Sequence, residues 1–155
     1  MPKILFIFLF FISLIAEVNG AGSSTSESTS NLYDKGANLI KTAKKLEKKG
    51  KIEKAKKRYE RALKHLKKSN EKYPNVPDTL NYLGFALRKL GDFKNAEKYY
   101  LEGLAISPKH NGINEYLGEL YIQTNRIELA RERLEVLKNC NCEEYNELKE
   151  ILENN

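Results

Sequence analysis

Cys140 and Cys142 are the residues whose type and spacing could most directly do covalent chemistry, with only Asn141 between them. In an oxidising compartment such a pair is usually oxidised. A bridge between them would be a small ring; closing it removes little chain entropy, and strained bridges are the more readily reduced ones. The spacing allows a local bridge pinning a turn, reduced or intermolecular thiols, redox exchange, or a share in a metal site. Two cysteines alone cannot complete a tetrahedral set. His65 and His110 are the only histidines, and neither stands at ligand spacing to the other or to a carboxylate. The chain has no glycine-rich phosphate loop, nucleophile elbow or paired metal motif. Its many carboxylates read as solvated helix faces. No catalytic residues, metal or cofactor are expected, and the protein is not read as an enzyme.

The elements that would position any site are set by a repeat. Leu80, Leu83, Gly84 and Leu87 are followed by Ala96, Tyr100 and Pro108. Thirty-four residues later the spacing recurs as Asn114, Leu117, Gly118 and Tyr121, then Ala130, Leu134 and Cys142. It is present in weaker form upstream as Leu39, Thr42, Ala43 and Leu46, then Ala55 and Tyr59. A fixed period of this length means stacked supersecondary units. The four residues from Leu80 to Leu87 define one apolar helical stripe. Gly84 within it costs roughly 1 kcal/mol against Ala in an exposed helix, so a second helix is expected to cross closely there, with Ala96 as its small partner. Gly91 suits the left-handed residue that ends a helix, and Asp92 can cap the next. Asn125 and Gly50 take the Gly91 place in the other two units.

This pattern resembles the tetratricopeptide repeat, whose signature is an aromatic, Leu-Gly, Tyr, Ala, an aromatic and Pro. The middle unit carries Leu80, Leu83-Gly84, Leu87, Ala96, Tyr100 and Pro108 at those places. The third has Asn114, Leu134 and Cys142 where two aromatics and Pro would stand, and the first lacks Leu-Gly. The resemblance spans about Gly36 to Cys142. It implies an all-α fold: a right-handed α-solenoid of about three helical hairpins, whose first helices line a concave surface that holds a peptide or partner helix.

In chain order, Lys3 and the apolar run Ile4–Ala16 read as a secretory signal over 1–20, cut after Gly20 or Ala21. An uncleaved anchor is the alternative, although thirteen apolar residues span only about 20 Å of the ~30 Å hydrocarbon core. Residues 21–31 form a Ser/Thr linker with nothing to bury, expected to be disordered. The helical domain runs from 32 to 155, with repeats at about 36–73, 77–110 and 111–144. Ala55 to Ala96 exceeds the period by seven residues, two helical turns, so a long helix from Ile52 to Lys72 is expected to project beyond its neighbours. Pro74 and Pro77 bracket the loop after it. Glu143–Glu153 places Tyr145, Leu148, Ile151 and Leu152 on one face and reads as the capping helix that closes a solenoid.

Charge divides the chain. Residues 31–76 hold 16 basic against 5 acidic residues, while 77–155 hold 10 against 14. A basic excess of 11 is more than solubility needs and should attract anionic partners. Nucleic acid is set aside, because export and the absence of interleaved aromatics argue against it. The opposite charges of the halves also permit head-to-tail association, leaving oligomeric state open.

The resemblance places the partner-binding groove on the face about 100° round from the Leu80 stripe. That face carries Asn81, Phe85 and Arg88, with Glu115, Glu119 and Ile122 in the third unit and Ile40, Lys44 and Glu47 in the first. Phe85 there reads either as a binding hot spot or as packing on the adjacent repeat. Some relatives clamp a terminal carboxylate with Lys and Asn, but this chain has Ile40, Tyr82, Gly112 and Tyr116 at most of those places, so that specificity is not carried over. The expected role is a protein-binding adaptor in the cell envelope, with a bacterial periplasm favoured. The alternative is a charge-driven binder of an anionic membrane surface or envelope polymer.

Overall fold

The computed structural model describes residues 29–155, with side chains from residue 31 onward. The expected signal segment and most of the expected linker therefore lie outside the described residues. Residues 29–31, assigned to the end of that linker, instead open the first helix. Leu32 is the first packed side chain, and the turn that carries it begins at Thr29.

Among the described residues are seven α-helices: α1 (Thr29–Lys48), α2 (Ile52–Lys72), α3 (Pro77–Lys89), α4 (Phe93–Ile106), α5 (Asn111–Gln123), α6 (Ile127–Leu137) and α7 (Glu143–Glu153). Successive helices pack as the hairpins α1/α2, α3/α4 and α5/α6, and the hairpins stack in order. α1, α3, α5 and α7 form one row, each touching the next, and α2, α4 and α6 lie behind them. The architecture is an all-α solenoid of helical hairpins.

One turn design closes each hairpin. Gly50, Gly91 and Asn125 all have positive φ, at 67°, 86° and 58°. In the middle hairpin the Gly91 N–H donates to the Arg88 carbonyl and the Asp92 N–H to the Leu87 carbonyl, both at 3.0 Å. The same two bonds recur at Gly50/Lys51 and Asn125/Arg126. Each satisfies carbonyls that the ending helix leaves open. Asp92 then caps α4, accepting the Asn95 N–H at 3.2 Å. Pro77 occupies the first turn of α3, where its missing N–H leaves no bond unmade.

Between hairpins, His110 has a role that the sequence did not indicate. The Ile113 N–H donates to His110 Nδ1 at 3.2 Å, capping α5. Nδ1 therefore carries no proton, and Nε2 donates to Asp78 Oδ1 at 3.1 Å. This bond ties the start of α5 to the first turn of α3.

Glycines let the helices approach. A Cβ at Gly84 would stand 2.5 Å from Tyr100 Cε1. The residue filling the Gly84 notch is thus the Tyr100 ring, one turn beyond the expected Ala96, which is itself fully buried. In the third hairpin the aromatic place holds Leu134, and the notch over Gly118 is filled from α7, with Leu148 Cδ2 2.5 Å from where a Cβ would be. Leu148 is fully buried, and Tyr145, Ile151 and Leu152 pack on the same core. The capping helix completes the last repeat rather than merely shielding it.

The length of α2 has a similar explanation. It has 21 residues, against 11 to 14 for α3 to α6. It does not project alone, because α1 is also long, at 20 residues. Leu66, in the extension, packs so closely on α1 that a Cβ at Gly36 would lie 2.6 Å from Leu66 Cγ. The first hairpin as a whole is the longest.

The Gly84 notch yields a stability prediction. Gly84→Ala gains roughly 1 kcal/mol of helix propensity, but forces a rigid ring out of a packed core, at about 1–3 kcal/mol. A net loss of up to about 2 kcal/mol is expected by urea denaturation. Adding Tyr100→Leu, which frees the space, should recover part of it. A stabilised Gly84→Ala chain would show that the crossing is looser than described.

Candidate partner-binding groove

The row α1–α3–α5 presents one concave face, and two adjoining cavities lie along it. The first, about 300 Å³, is lined by Ile40, Lys41, Lys44, Lys45 and Lys48 of α1 with Tyr82 of α3 and Tyr116 of α5. The second, about 240 Å³, shares Lys44 and Lys48 and extends past Phe85 and Arg88 to Glu119 of α5 and Glu147 of α7. Helical spacing on α1 aims four ammonium groups at one wall. The 34-residue period puts Tyr82 and Tyr116 at the same place in successive repeats.

Beneath the cavities is an aromatic floor. Phe85 is 3% exposed. Its ring centre lies 4.6 Å from that of Tyr116 and 5.9 Å from that of Tyr59, the latter edge-on. Cations approach the rings from the groove side. Lys44 Nζ lies 5.5 Å from the Phe85 centroid and donates to the Tyr116 hydroxyl at 3.4 Å. The Arg88 guanidinium sits 5.4 Å from the Phe85 centroid. Such contacts contribute about 0.5–2 kcal/mol each, more as water is excluded. Phe85 is therefore packing between repeats, and the tyrosines above it are the accessible aromatics.

The groove also holds a buried charge network. Arg88 Nη1 lies 2.8 Å from Glu119 Oε2, with the arginine side chain 1% and the glutamate 18% exposed. Neither Arg88 Nε nor Nη1 is aligned for a hydrogen bond, so the contact with Glu119 is an ion pair by distance. Glu47 accepts from the Tyr59 hydroxyl at 2.9 Å and pairs with Lys89, also at 2.9 Å. Glu115 is 2% exposed, and its Oε1 has no hydrogen-bond partner. Burial raises its pKa to about 9, helped by hydrogen bonding with Glu147 and by the charges of Glu119 and Glu147, while Lys44 opposes the shift. Glu115 is thus held as the neutral acid near neutral pH. Burial also holds the Tyr59, Tyr100 and Tyr116 hydroxyls protonated.

The nine residues expected in the groove divide by depth. Lys44, Glu47 and Glu119 are half-buried on its wall. Phe85 and Arg88 form its floor, and Ile40 lines the basic cavity. Asn81 is buried against the start of α5, where a Cβ on Gly112 would meet its Nδ2 at 2.8 Å. Glu115 lies under the surface, and Ile122 packs in the core shared by α3 to α7. Lys41, Lys45, Lys48, Tyr82, Lys89, Tyr116 and Glu147 also line the two cavities and are not among the nine. The lysine spacing was visible in the sequence, whereas Glu147 enters only because α7 docks beside α5.

Cys140 and Cys142 are bonded to each other, and their Cα atoms are 5.2 Å apart. Among the described residues no group of three or more His, Cys, Asp or Glu side chains could hold a metal ion. No described helix is long and apolar enough to cross a membrane.

Solved structures with this fold include the Yersinia enterocolitica type III secretion translocator chaperone SycD. It has 19% identity over 83% of this chain and 92% of its own, with a TM-score of 0.59. The first TPR of Spaghetti (RPAP3), bound to the HSP90 peptide SRMEEVD, is 22% identical over 79% of this chain and 94% of its own, with a TM-score of 0.53. A tetratricopeptide repeat protein from Parabacteroides merdae is 17% identical over 77% of this chain and 59% of its own, with a TM-score of 0.54. These likenesses concern the fold. No curated protein matches the chain. Two tetratricopeptide repeat family models match residues 45–109 and 87–152, together running from the end of α1 through α2 to α6 and most of α7. The chain belongs to the tetratricopeptide repeat family.

Proposed function

We propose that the protein is a non-enzymatic adaptor that holds an acidic segment of a partner protein against α1 and the Tyr82/Tyr116 pair. The observation that carries this reading is the convergence of Lys41, Lys44, Lys45 and Lys48 with two tyrosines on one open cavity. The lysines supply attraction and on-rate, and the tyrosines supply contact area at low entropic cost. A likeness in fold to a structure that holds SRMEEVD, with three acidic residues, supports the choice of a negatively charged segment. Location in the cell envelope belongs to this proposal and rests on the amino-terminal sequence.

A pull-down from native extract tests it, comparing the chain with a Lys41→Glu, Lys45→Glu, Tyr82→Ala variant. These positions are exposed or half-buried, so the fold should survive. Loss of one protein by the variant, at least tenfold, supports the groove and names the partner. Equal capture by both chains rejects it.

A second reading is favoured by one observation on α2. Its 21 residues carry nine basic and three acidic side chains, and its basic residues, Lys72 aside, form no ion pair among the described residues. A polyanionic surface would be held there. Its mark is capture that falls steeply with salt and is indifferent to the groove variant.

A further inference from the structure

We propose that the Cys140–Cys142 bridge is a thiol–disulfide exchange site that oxidises a dithiol presented on a polypeptide. The bridge encloses only Asn141 and joins residues that the turn already holds near one another, so it restricts the unfolded chain little. α7 has anchors besides the bridge, with Leu148 in the Gly118 notch and Tyr145, Ile151 and Leu152 on the core that both cysteines also touch. Both cysteines are half-buried rather than enclosed. Beside them lies an open concavity of about 530 Å³, walled by Cys142, Lys138, Asn141 and Tyr145. That is room for a cysteine with its neighbouring residues.

Position also favours a leaving thiolate. Cys142 precedes α7 at its N-cap, and its side chain takes no bond from the first-turn N–H groups. Those groups stabilise negative charge on its sulfur, while Glu143 and Glu144 temper the effect; Lys138 on the rim is paired with Glu135 at 3.1 Å. In the exchange, a client thiolate attacks Cys142 Sγ, the Cys140–Cys142 bond breaks, and Cys140 leaves as a thiolate that takes a proton. A second client thiol, deprotonated, then attacks the client sulfur of the mixed disulfide and releases the Cys142 thiolate. The client loses two electrons and gains a disulfide, and the protein gains two thiols. No further reactant is needed.

The probe is a reduced synthetic peptide bearing two cysteines, mixed with the oxidised chain and followed by thiol alkylation and mass spectrometry. An isolated oxidised peptide of residues 138–144 is the reference. The expected result is peptide disulfide and protein dithiol in equal amounts, formed at least tenfold faster than with the reference, with helical circular dichroism unchanged. A rate equal to that of the reference, or reduction only when helix is lost, overturns the proposal. Cys140→Ser should trap a mixed disulfide with the oxidised probe peptide faster than Cys142→Ser. The reverse order would place the reactive sulfur wrongly and would also overturn it.

Discussion

Replacing Arg88 by leucine should cost about 3 kcal/mol of folding stability, the low end of the 3–5 kcal/mol typical when one partner of a buried pair is removed. The guanidinium is almost fully enclosed and lies 2.8 Å from Glu119 Oε2, while Glu119 keeps partial access to water. Removing the arginine leaves Glu119 beside Glu115 and Glu147 with no cation at contact distance. It also takes a cation from the Phe85 and Tyr116 rings. Chemical denaturation reads the loss directly. Arg88→Leu combined with Glu119→Leu should restore most of it, because an ion pair replaced whole by apolar groups is often near neutral. A single-variant loss below about 1 kcal/mol would mean that the pair contributes like an exposed one.

Replacing Glu115 by glutamine should stabilise the protein, increasingly so as pH rises. The folded carboxyl has its pKa raised from 4.5 to about 9. Below the unfolded value it is protonated in both states, and its contribution to stability is complete. As pH rises, the unfolded chain gives up the proton while the folded chain keeps it, so stability falls through the window from about 4.5 to about 9. Glutamine keeps the shape and has no proton to lose. The expected gain is on the order of 2 kcal/mol near pH 8 and close to zero near pH 4, after discounting the full linkage value of 1.36 kcal/mol per pH unit. Thermal unfolding of both chains across that range measures it. Parallel pH profiles would show that Glu115 is ionised in the fold.

These two residues mark where the sequence was informative and where it stopped. The 34-residue period assigned Arg88, Glu115 and Glu119 to one face of the inner helices, and the structure keeps them together. The hairpin turns were equally legible, because Gly50, Gly91 and Asn125 answer a local backbone demand that no distant contact overrides. The end of α2 at Lys72 followed from Pro74 and Pro77 in the same way. Depth was not legible. A helical wheel gives a direction, but whether Phe85 opens to the groove or lies beneath it depends on Tyr59, Tyr116, Lys44 and Arg88 from other elements. The partner of Gly84 was misplaced by one turn for a similar reason. Spacing suggested small against small at Ala96, whereas the space is filled by the flat Tyr100 ring. His110 bonds to Asp78 across 32 residues, a pairing set by how two hairpins stack. No local pattern encodes it.

Groove and outer face can be separated in one titration. An acidic peptide added to isotopically labelled protein should shift the NMR signals of Tyr82, Tyr116 and the α1 lysines in a saturable way. The signals of Lys64, Lys67 and Lys68 on α2 should hardly move. Shifts confined to α2, or spread over both helices and abolished by moderate salt, would contradict groove binding and assign the attraction to the basic outer helix.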